Sequence, residues 1–268
     1  MPMPEPRSIH TRRVRFDFSA PLPRHWLGGR RVATHLINTL GLMLPPGERF
    51  FVRTTRDALE KIADPVLREQ ARAFMGQEGR HAVEHQRSFQ AIEAQGYEVN
   101  SFIERMESLI ARVLEPNLPL SVRISATAAL EHFTATIAEL GFSTPYLDDA
   151  DPMMRDLFLW HAAEEIEHKS VAFDLLQHLD PAYRMRVVGL ALATPVLFFA
   201  WWGGTWRLMR QEPSLPARTA AKEMLEALLN GDFKLGPLAR AMGSYLRPSF
   251  HPAEEDNYHR VEQHFATH

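Results

Sequence analysis

Residues 160–168 read Trp-His-Ala-Ala-Glu-Glu-Ile-Glu-His, and this stretch decides the fold that the sequence predicts. His161, Glu165 and His168 follow one another at spacings of four and three residues, so a helix places all three on one face. Apolar residues continue the same stripe in both directions, as on a helix face that packs against a protein core. The middle of this predicted core face is therefore polar, which requires a chemical explanation.

Three other segments repeat this pattern. Glu78 and His81 share one predicted helix face with apolar residues. Glu131 stands alone in the middle of such a stripe, and Glu48 stands alone at the start of another. We predict helices because apolar residues recur every three or four positions through most of the chain. Four predicted helices therefore carry carboxylates on faces that should be buried, and two of these faces also carry imidazoles.

These inward carboxylates need positive charge between them. An unpaired carboxylate inside a protein is so costly that it is normally neutralised. Two divalent cations would balance four carboxylates. Because the chain contains no cysteine, only imidazole and carboxylate groups remain to bind them. The composition thus excludes disulfides, zinc–thiolate sites and iron–sulfur clusters.

The order of these residues resembles the ligand pattern of the ferritin-like di-iron carboxylate bundles. In that class two helices each supply a Glu and two others each supply Glu-x-x-His. The corresponding residues here are Glu48, Glu78 with His81, Glu131, and Glu165 with His168. The resemblance implies an all-α fold, namely a ferritin-like four-helix bundle with additional C-terminal helices. It also implies a site for two iron ions, with manganese or zinc as alternatives.

Longer motifs resemble a bacterial family known as predicted metal-dependent hydrolases. They lie at residues 46–51, 77–81, 129–135 and 160–170, and the similarity extends over about residues 12–255. The family name implies hydrolysis. The ligand pattern, in contrast, is that of di-iron oxidases and oxygenases, and we give it more weight than the name.

Two further histidines extend the candidate site. The spacing of His161 from Glu165 and His168 is similar to that in the arylamine N-oxygenases, whose third histidine joins the usual six ligands. This resemblance implies that His161 is a seventh ligand, and the alternative is that it hydrogen-bonds to a ligating carboxylate. For His85, one turn beyond His81, we predict a role in supporting a ligand or facing the substrate, with ligation as the alternative.

Several other polar residues are predicted to have no part in metal binding. Glu164 and Glu167 flank Glu165 but lie off its stripe, so we expect them to be solvated or to form salt bridges. Most of the remaining histidines, including His25 and His35, are expected in loops or tails.

The leading functional hypothesis is a di-iron oxidase or oxygenase that uses O2 to oxidise a small hydrophobic or aromatic substrate. It requires an external electron donor protein, because a chain without cysteine has no ligands for an iron–sulfur centre that would reduce the iron pair. The first alternative is a metal-dependent hydrolase in which two metal ions activate a water molecule. The second is a ferritin-like protein that handles iron without turning over an organic substrate.

The charge balance and the termini bear on partners and location. Thirty basic residues against thirty-three acidic ones give no field that would attract nucleic acid, so no nucleic-acid partner is expected. The N-terminal residues lack the apolar segment of a secretory signal, which favours a cytoplasmic protein.

One segment complicates that location. Residues 187–206 contain no charge and are flanked by arginines, and three tryptophans cluster near their end. Three interpretations are open: a helix buried against the bundle or in a homodimer contact, a peripheral membrane contact, and a membrane span.

We divide the chain into a helical bundle with the dinuclear site, residues 1–210, and a C-terminal helical extension and tail, residues 211–268. The first part includes an apolar helix at about 181–208. Within it, Pro45-Pro46-Gly47 is predicted to separate a helix near 31–44 from one near 47–62. A single long helix is expected at 152–179.

Overall fold

The computed structural model describes residues 9–230 and 235–267, and within these ranges the chain is helical and has no strand. This confirms the all-α fold class. The helices are α1 (Arg31–Leu59), α2 (Pro65–Ala94), α3 (Asn100–Ser108), the three-residue α4 (Glu115–Asn117), α5 (Leu120–Ser143), α6 (Pro152–His168), α7 (Val171–Leu179), α8 (Tyr183–Met209), α9 (Ala217–Asn230), α10 (Leu235–Tyr245) and α11 (His259–Thr267). A π-helical segment, Leu109–Leu114, joins α3 to α4.

Two of the helices that carry the candidate site begin at an Asp-Pro pair. The Asp64 carboxylate accepts hydrogen bonds from the backbone N–H groups of Val66 and Leu67, and Asp151 accepts one from Met153. These bonds satisfy N–H groups that have no partner within the helix, and the following proline needs none. The start of α2 and of α6 is thus set locally by the sequence.

The predicted break at Pro45-Pro46-Gly47 is wrong, because α1 continues through both prolines. Each proline removes one backbone hydrogen bond, but the helix packs against α2, α5 and α8, and this packing keeps it continuous. The expected single helix at 152–179 is also wrong. It is interrupted at Lys169 and Ser170, where the buried Lys169 ammonium turns away to donate a hydrogen bond to Asn257.

The helices α1, α2, α5 and α6 lie around a common interior, with α7 packed against α2 and α5. The helix α8 covers α5 and α1 from outside, while α10 packs on α5 and α11 on α6. Four helices thus enclose the space into which the candidate ligands point. The ferritin-like assignment of this bundle and the division at residue 210 stay predictions.

The apolar helix α8 has one buried and one exposed face. Gly189 and Gly204 allow the close approach of its backbone, since an added Cβ would lie 2.1 Å from the Ser125 hydroxyl oxygen and 2.5 Å from the Thr39 methyl carbon. On the opposite face, Phe199 is 80% exposed. Among the described residues α8 is the one helix that is long and apolar enough to span a membrane. Length and composition alone do not distinguish a membrane span from a helix buried in a protein core.

Candidate metal centre

The four enclosing helices bring all seven predicted ligands together in the interior of the protein. Each of the seven side chains is buried. They are Glu48 from α1, Glu78 and His81 from α2, Glu131 from α5, and His161, Glu165 and His168 from α6. The helical periodicity therefore predicted correctly that these residues share one interior, while metal binding by them stays a prediction.

The seven residues form three overlapping groups, in each of which one ligand atom per residue lies within 4.8 Å of the others. The groups are Glu78, Glu131 and His168; Glu78, His81 and Glu165; and Glu48, His81 and His161. Because Glu78 and His81 each belong to two groups, the arrangement is continuous. Such sharing is what a pair of neighbouring ions requires.

His168 lies at the centre of the first group. Its Nε2 atom is 3.1 Å from a carboxylate oxygen of Glu78 and 3.2 Å from one of Glu131. On the other side, the Nδ1 atom of His81 is 3.7 Å from Glu165 and 3.9 Å from Glu78. One ring nitrogen of each histidine thus points at two carboxylates, at least one of which comes from another helix.

The cluster fits divalent metal ions because its polar atoms lack other partners. Several are buried and form no hydrogen bond with any described residue: both carboxylate oxygens of Glu48, Glu78 and Glu131, one of Glu165, Nδ1 of His81 and Nε2 of His168. Buried polar atoms are nearly always hydrogen-bonded. Carboxylate oxygens and imidazole nitrogens are suitable ligands for divalent ions such as iron, manganese and zinc. The buried cluster is therefore able to bind metal.

Burial and mutual repulsion govern the protonation of these acids without metal. Burial, with the charges of the neighbouring glutamates, raises the pKa of Glu48 and of Glu131 well above the ordinary value. Burial would also raise the pKa of Glu165, but the charges of His168 and His161 hold it well below that value. The metal-free site therefore retains protons that a metal ion must displace.

A network of charged residues fixes the orientation of His81 by contacting the side of its ring that faces away from the cluster. The Nε2 of His81 donates a hydrogen bond to a Glu164 oxygen at 3.0 Å, and the other oxygen of Glu164 accepts one from Arg12 at 3.1 Å. Burial raises the pKa of Glu164 to about 7, an effect that Arg12 opposes. This contact directs Nδ1 of His81 towards the cluster, as carboxylates behind metal-bound histidines commonly do.

The same arginine supports His168 through two more residues. The Nδ1 of His168 donates to the side-chain oxygen of Gln77 at 2.9 Å, and the Gln77 amide donates to Glu167. Both terminal nitrogens of Arg12 donate to Glu167 at 2.8 Å. A continuous chain of hydrogen bonds thus runs between the two histidines through Arg12.

Sequence reasoning missed Arg12 and Gln77. It correctly expected salt bridges for Glu164 and Glu167, although Glu164 is fully buried. The available signal was the excess of negative charge beside Glu165, which needs a counter-charge. Nothing local could show that residue 12 supplies it.

His85 lies beside the cluster and contacts His161. Its Nε2 is 3.0 Å from Nδ1 of His161, whose Nε2 lies 3.0 Å from Glu165. None of the three groups of candidate ligands includes His85. His85 thus contacts the ring that faces Glu165, and its role in supporting a ligand or facing the substrate stays a prediction.

An apolar pocket reaches the cluster from one side. It encloses about 940 Å³ of empty volume, part of it open to solvent, and it is lined mainly by α1, α5 and α6 with Trp201 of α8. His161 and Glu165 line its inner end. These are the two candidate ligands that a molecule in the pocket would meet.

A second polar cluster lies apart from the centre, and it corrects the expectation for His35, whereas His25 lies in a turn as expected. His35 lies inside α1 and is fully buried, while His25 precedes that helix. Their Nε2 atoms are 2.7 and 2.9 Å from the same oxygen of Glu212, to which the Tyr97 hydroxyl also donates. The expectation failed because a residue distant in sequence supplies the buried partner.

The spacing of His25, His35 and Glu212 would also suit a metal ion. Unlike the central acids, however, Glu212 receives hydrogen bonds at both oxygens, and Arg24 supplies its counter-charge. We therefore interpret this cluster as a hydrogen-bonded joint between the first part of the chain and the segment after α8.

The fold and the central cluster define a class of protein: all-helical, with buried histidine and glutamate groups able to bind metal. The family model described as "Predicted metal-dependent hydrolase" matches residues 10–256, and the chain belongs to this family. The resemblance found in the sequence motifs is thus confirmed. No curated protein and no solved structure matches the chain.

Proposed function

We propose that the protein is a metal-dependent enzyme with a dinuclear centre. The proposed ligands are Glu48, Glu78, His81, Glu131, His161, Glu165 and His168. The observation that carries this proposal is the convergence of buried, unpartnered carboxylate and imidazole atoms from four helices. Two histidines, His161 and His168, contact these carboxylates, and none of the contacts described above for the four glutamates is to a lysine or arginine.

Hydrolysis is the function that the comparisons support best, because it is the activity in the family's description. When bound, two metal ions would lower the pKa of a water molecule and polarise a substrate carbonyl. The chain itself would orient the centre through Arg12 and Glu164. Its apolar pocket would bring the substrate to Glu165 and limit the access of bulk water.

Oxidation with O2 at two iron ions is the second candidate. Its support is the ligand chemistry: four glutamates and histidines on four helices, with His161 in contact with Glu165. This reaction would need an external electron donor protein. Its proposed substrate is a small hydrophobic or aromatic molecule, which the lining of the pocket suits.

The first experiment determines the metal content of protein purified without added metal, by elemental analysis. We expect about two ions per chain, a marked loss in Glu165→Ala, and no loss in Asp156→Ala, which changes an exposed acid on the same helix. Unchanged metal content in Glu165→Ala would overturn the site.

A second experiment separates the two reactions. The protein is reduced without oxygen and then mixed with O2, and in parallel it is assayed with nitrophenyl esters. Ester cleavage that requires the metal, without a transient visible absorption after O2, supports hydrolysis. The transient without ester cleavage supports oxidation, and neither activity with bound iron points to iron handling.

For location we propose a cytoplasmic protein that has no nucleic-acid partner. The exposed stripe on α8 supports an additional apolar contact, either with a membrane surface or in a homodimer. The stripe consists of Val188, Leu192, Val196 and Phe199.

A further inference from the structure

The pocket beside the centre is polar mainly at its inner end, although Tyr146 also lines it. Glu165 is the one charged side chain among the described residues that line it. Thr134 and Thr144 also line it, but their hydroxyl groups donate to backbone carbonyls of their own helix. The Trp201 indole donates to the carbonyl of Leu36. Along its length the pocket therefore offers few polar groups to a ligand.

The pocket is also elongated. Leu36, Leu40 and Leu44 line it at steps of one helical turn on α1, and such a row is about 12 Å long. On α5 the lining extends from Thr134 to Gly141, which corresponds to about 10 Å. A slot between two helices fits a narrow, extended molecule better than a compact one of equal size.

The lining also lacks a permanent positive charge, because His161 is the only basic side chain among the described residues that form it. No lysine or arginine is among the described residues that line the pocket. A carboxylate or phosphate bound inside it would lose its hydration without gaining a cationic side chain, and the four glutamates would already balance the charge of two divalent ions. A cation would find Glu165 only, and the proposed metal ions already use that group.

We propose that this pocket binds the substrate and that the substrate class is a neutral, unbranched acyl or alkyl chain. One end of the chain would reach His161 and Glu165, while the rest lies between α1 and α5. The inference rests on the proposed metal-dependent function, and it adds the shape and charge of the molecule to it.

The test measures displacement of the neutral dye Nile red from the full-length, metal-loaded protein. Decanol and adamantanol are compared because both are neutral alcohols with equal numbers of carbon atoms. Decanoate and decyltrimethylammonium add a charge to the linear chain. We expect decanol to displace the dye at concentrations about ten-fold lower than the other three. Equal displacement by adamantanol or by either ion would overturn the proposal.

A pair of glycine variants places the binding in this pocket. A Cβ at Gly141 would meet only Leu147 at 3.9 Å, so Gly141→Leu fits the helix and directs its side chain into the pocket. The control is Gly79→Leu, at an exposed position with nothing within 4 Å. We expect decanol binding to weaken about ten-fold or more in Gly141→Leu and to be unchanged in Gly79→Leu.

Metal content and circular dichroism are measured on the same preparations. A folded, metal-loaded Gly141→Leu protein that binds decanol like the wild type would refute the pocket assignment and leave the metal centre intact. Decanol binding by a wild-type protein that holds no metal would refute the proposed function but retain the pocket. The two failures are therefore distinguishable.

Discussion

The guanidinium group of Arg12 lies 3.1 Å from the carboxylate of Glu164, although 152 positions separate the two residues in sequence. Glu164 in turn accepts the hydrogen bond of His81. An N-terminal residue thus helps to fix the orientation of a histidine in the middle of the fold. Because Arg12 also binds Glu167, its removal affects the support of both candidate ligand histidines.

We expect Arg12→Ala to weaken metal binding about 10–100-fold, the usual effect of losing a group that orients ligands. The dissociation constant is measured by competition with a chelator. The dissociation constant of Arg12→Lys should lie between those of the wild type and of Arg12→Ala, because lysine keeps the charge but loses the paired geometry of the guanidinium group. Arg13→Ala, at an exposed neighbouring position, serves as the control. A wild-type affinity in a folded Arg12→Ala protein would contradict this role.

The central acids should destabilise the protein when metal is absent. Replacing Glu131 by Gln removes a buried group whose charge is repelled by Glu165 and Glu78. We expect the metal-free Glu131→Gln variant to be more stable than the metal-free wild type by about 1 kcal/mol, or about 2–4 °C in Tm. With metal bound, the wild type should be more stable than Glu131→Gln. A lower Tm of the variant in both states would contradict the interpretation.

That stabilisation should depend on pH. Burial and the neighbouring glutamates raise the pKa of Glu131 above its unfolded value. A raised pKa means that the carboxyl group opposes folding increasingly as the pH rises above the unfolded pKa. The advantage of metal-free Glu131→Gln should therefore grow between about pH 5 and about pH 8. It is measured as the difference in Tm, and an advantage that shrinks would exclude this cause.

Metal affinity should change with pH as well. A metal ion must displace protons from Glu48 and Glu131, whose pKa values burial raises. We therefore expect tighter binding at about pH 7.5 than at about pH 5.5, with release of protons on binding. Titration calorimetry in buffers of different ionisation enthalpy measures the released protons. Binding without proton release would contradict the protonated metal-free state.

The joint at Glu212 should contribute to stability and not to metal content. Burial would raise the pKa of Glu212, but hydrogen bonds from His35 and Tyr97 hold it below the ordinary value. Its stabilising effect is thus present above the unfolded pKa and is lost as the pH falls. We expect Glu212→Ala to cost about 2–3 kcal/mol at neutral pH. The control, Glu223→Ala, breaks a more exposed pair with Arg31 and should cost about 1 kcal/mol or less.

Unfolding in urea measures the loss of unfolding free energy in both variants. Elemental analysis of the same preparations measures their metal content. Loss of one equivalent of metal in Glu212→Ala would show that His25, His35 and Glu212 form a metal site instead. An equal loss of unfolding free energy in Glu212→Ala and Glu223→Ala would show that the joint stabilises the protein no more than the exposed pair does.

The exposed stripe on α8 should govern association with apolar surfaces. We expect Phe199→Ser to leave Tm and metal content unchanged and to reduce either self-association or binding to lipid vesicles. Sedimentation measures the first and flotation the second. Leu229→Ser on α9, which is 73% exposed, is the matched control. No change in either measurement for Phe199→Ser would refute an apolar contact at this stripe.

The sequence predicts the interior cluster well because each part of it is local. His161, Glu165 and His168 share a face through helix geometry alone, and the same holds for Glu78 and His81. Once four helices carry such faces, burial of the apolar stripes brings the polar residues together. The all-α class follows from the same periodicity.

Features that depend on distant contacts could not be predicted. The double proline favours a break, yet packing on both sides keeps α1 continuous. His35 resembles other scattered histidines until Glu212 is placed beside it. The role of Arg12 depends on a contact with residues of α6 that no local pattern indicates.

The distribution of the candidate ligands along the chain has a consequence for biosynthesis. Glu48 lies in the second half of α1, the first long helix, whereas three of the seven residues belong to α6. During translation a nascent chain could therefore offer only an incomplete set of ligands until α6 has left the ribosome. Insertion of the proposed metal ions would accordingly be a late event of maturation, and cells that make the protein faster than they supply the metal should accumulate a folded precursor without it.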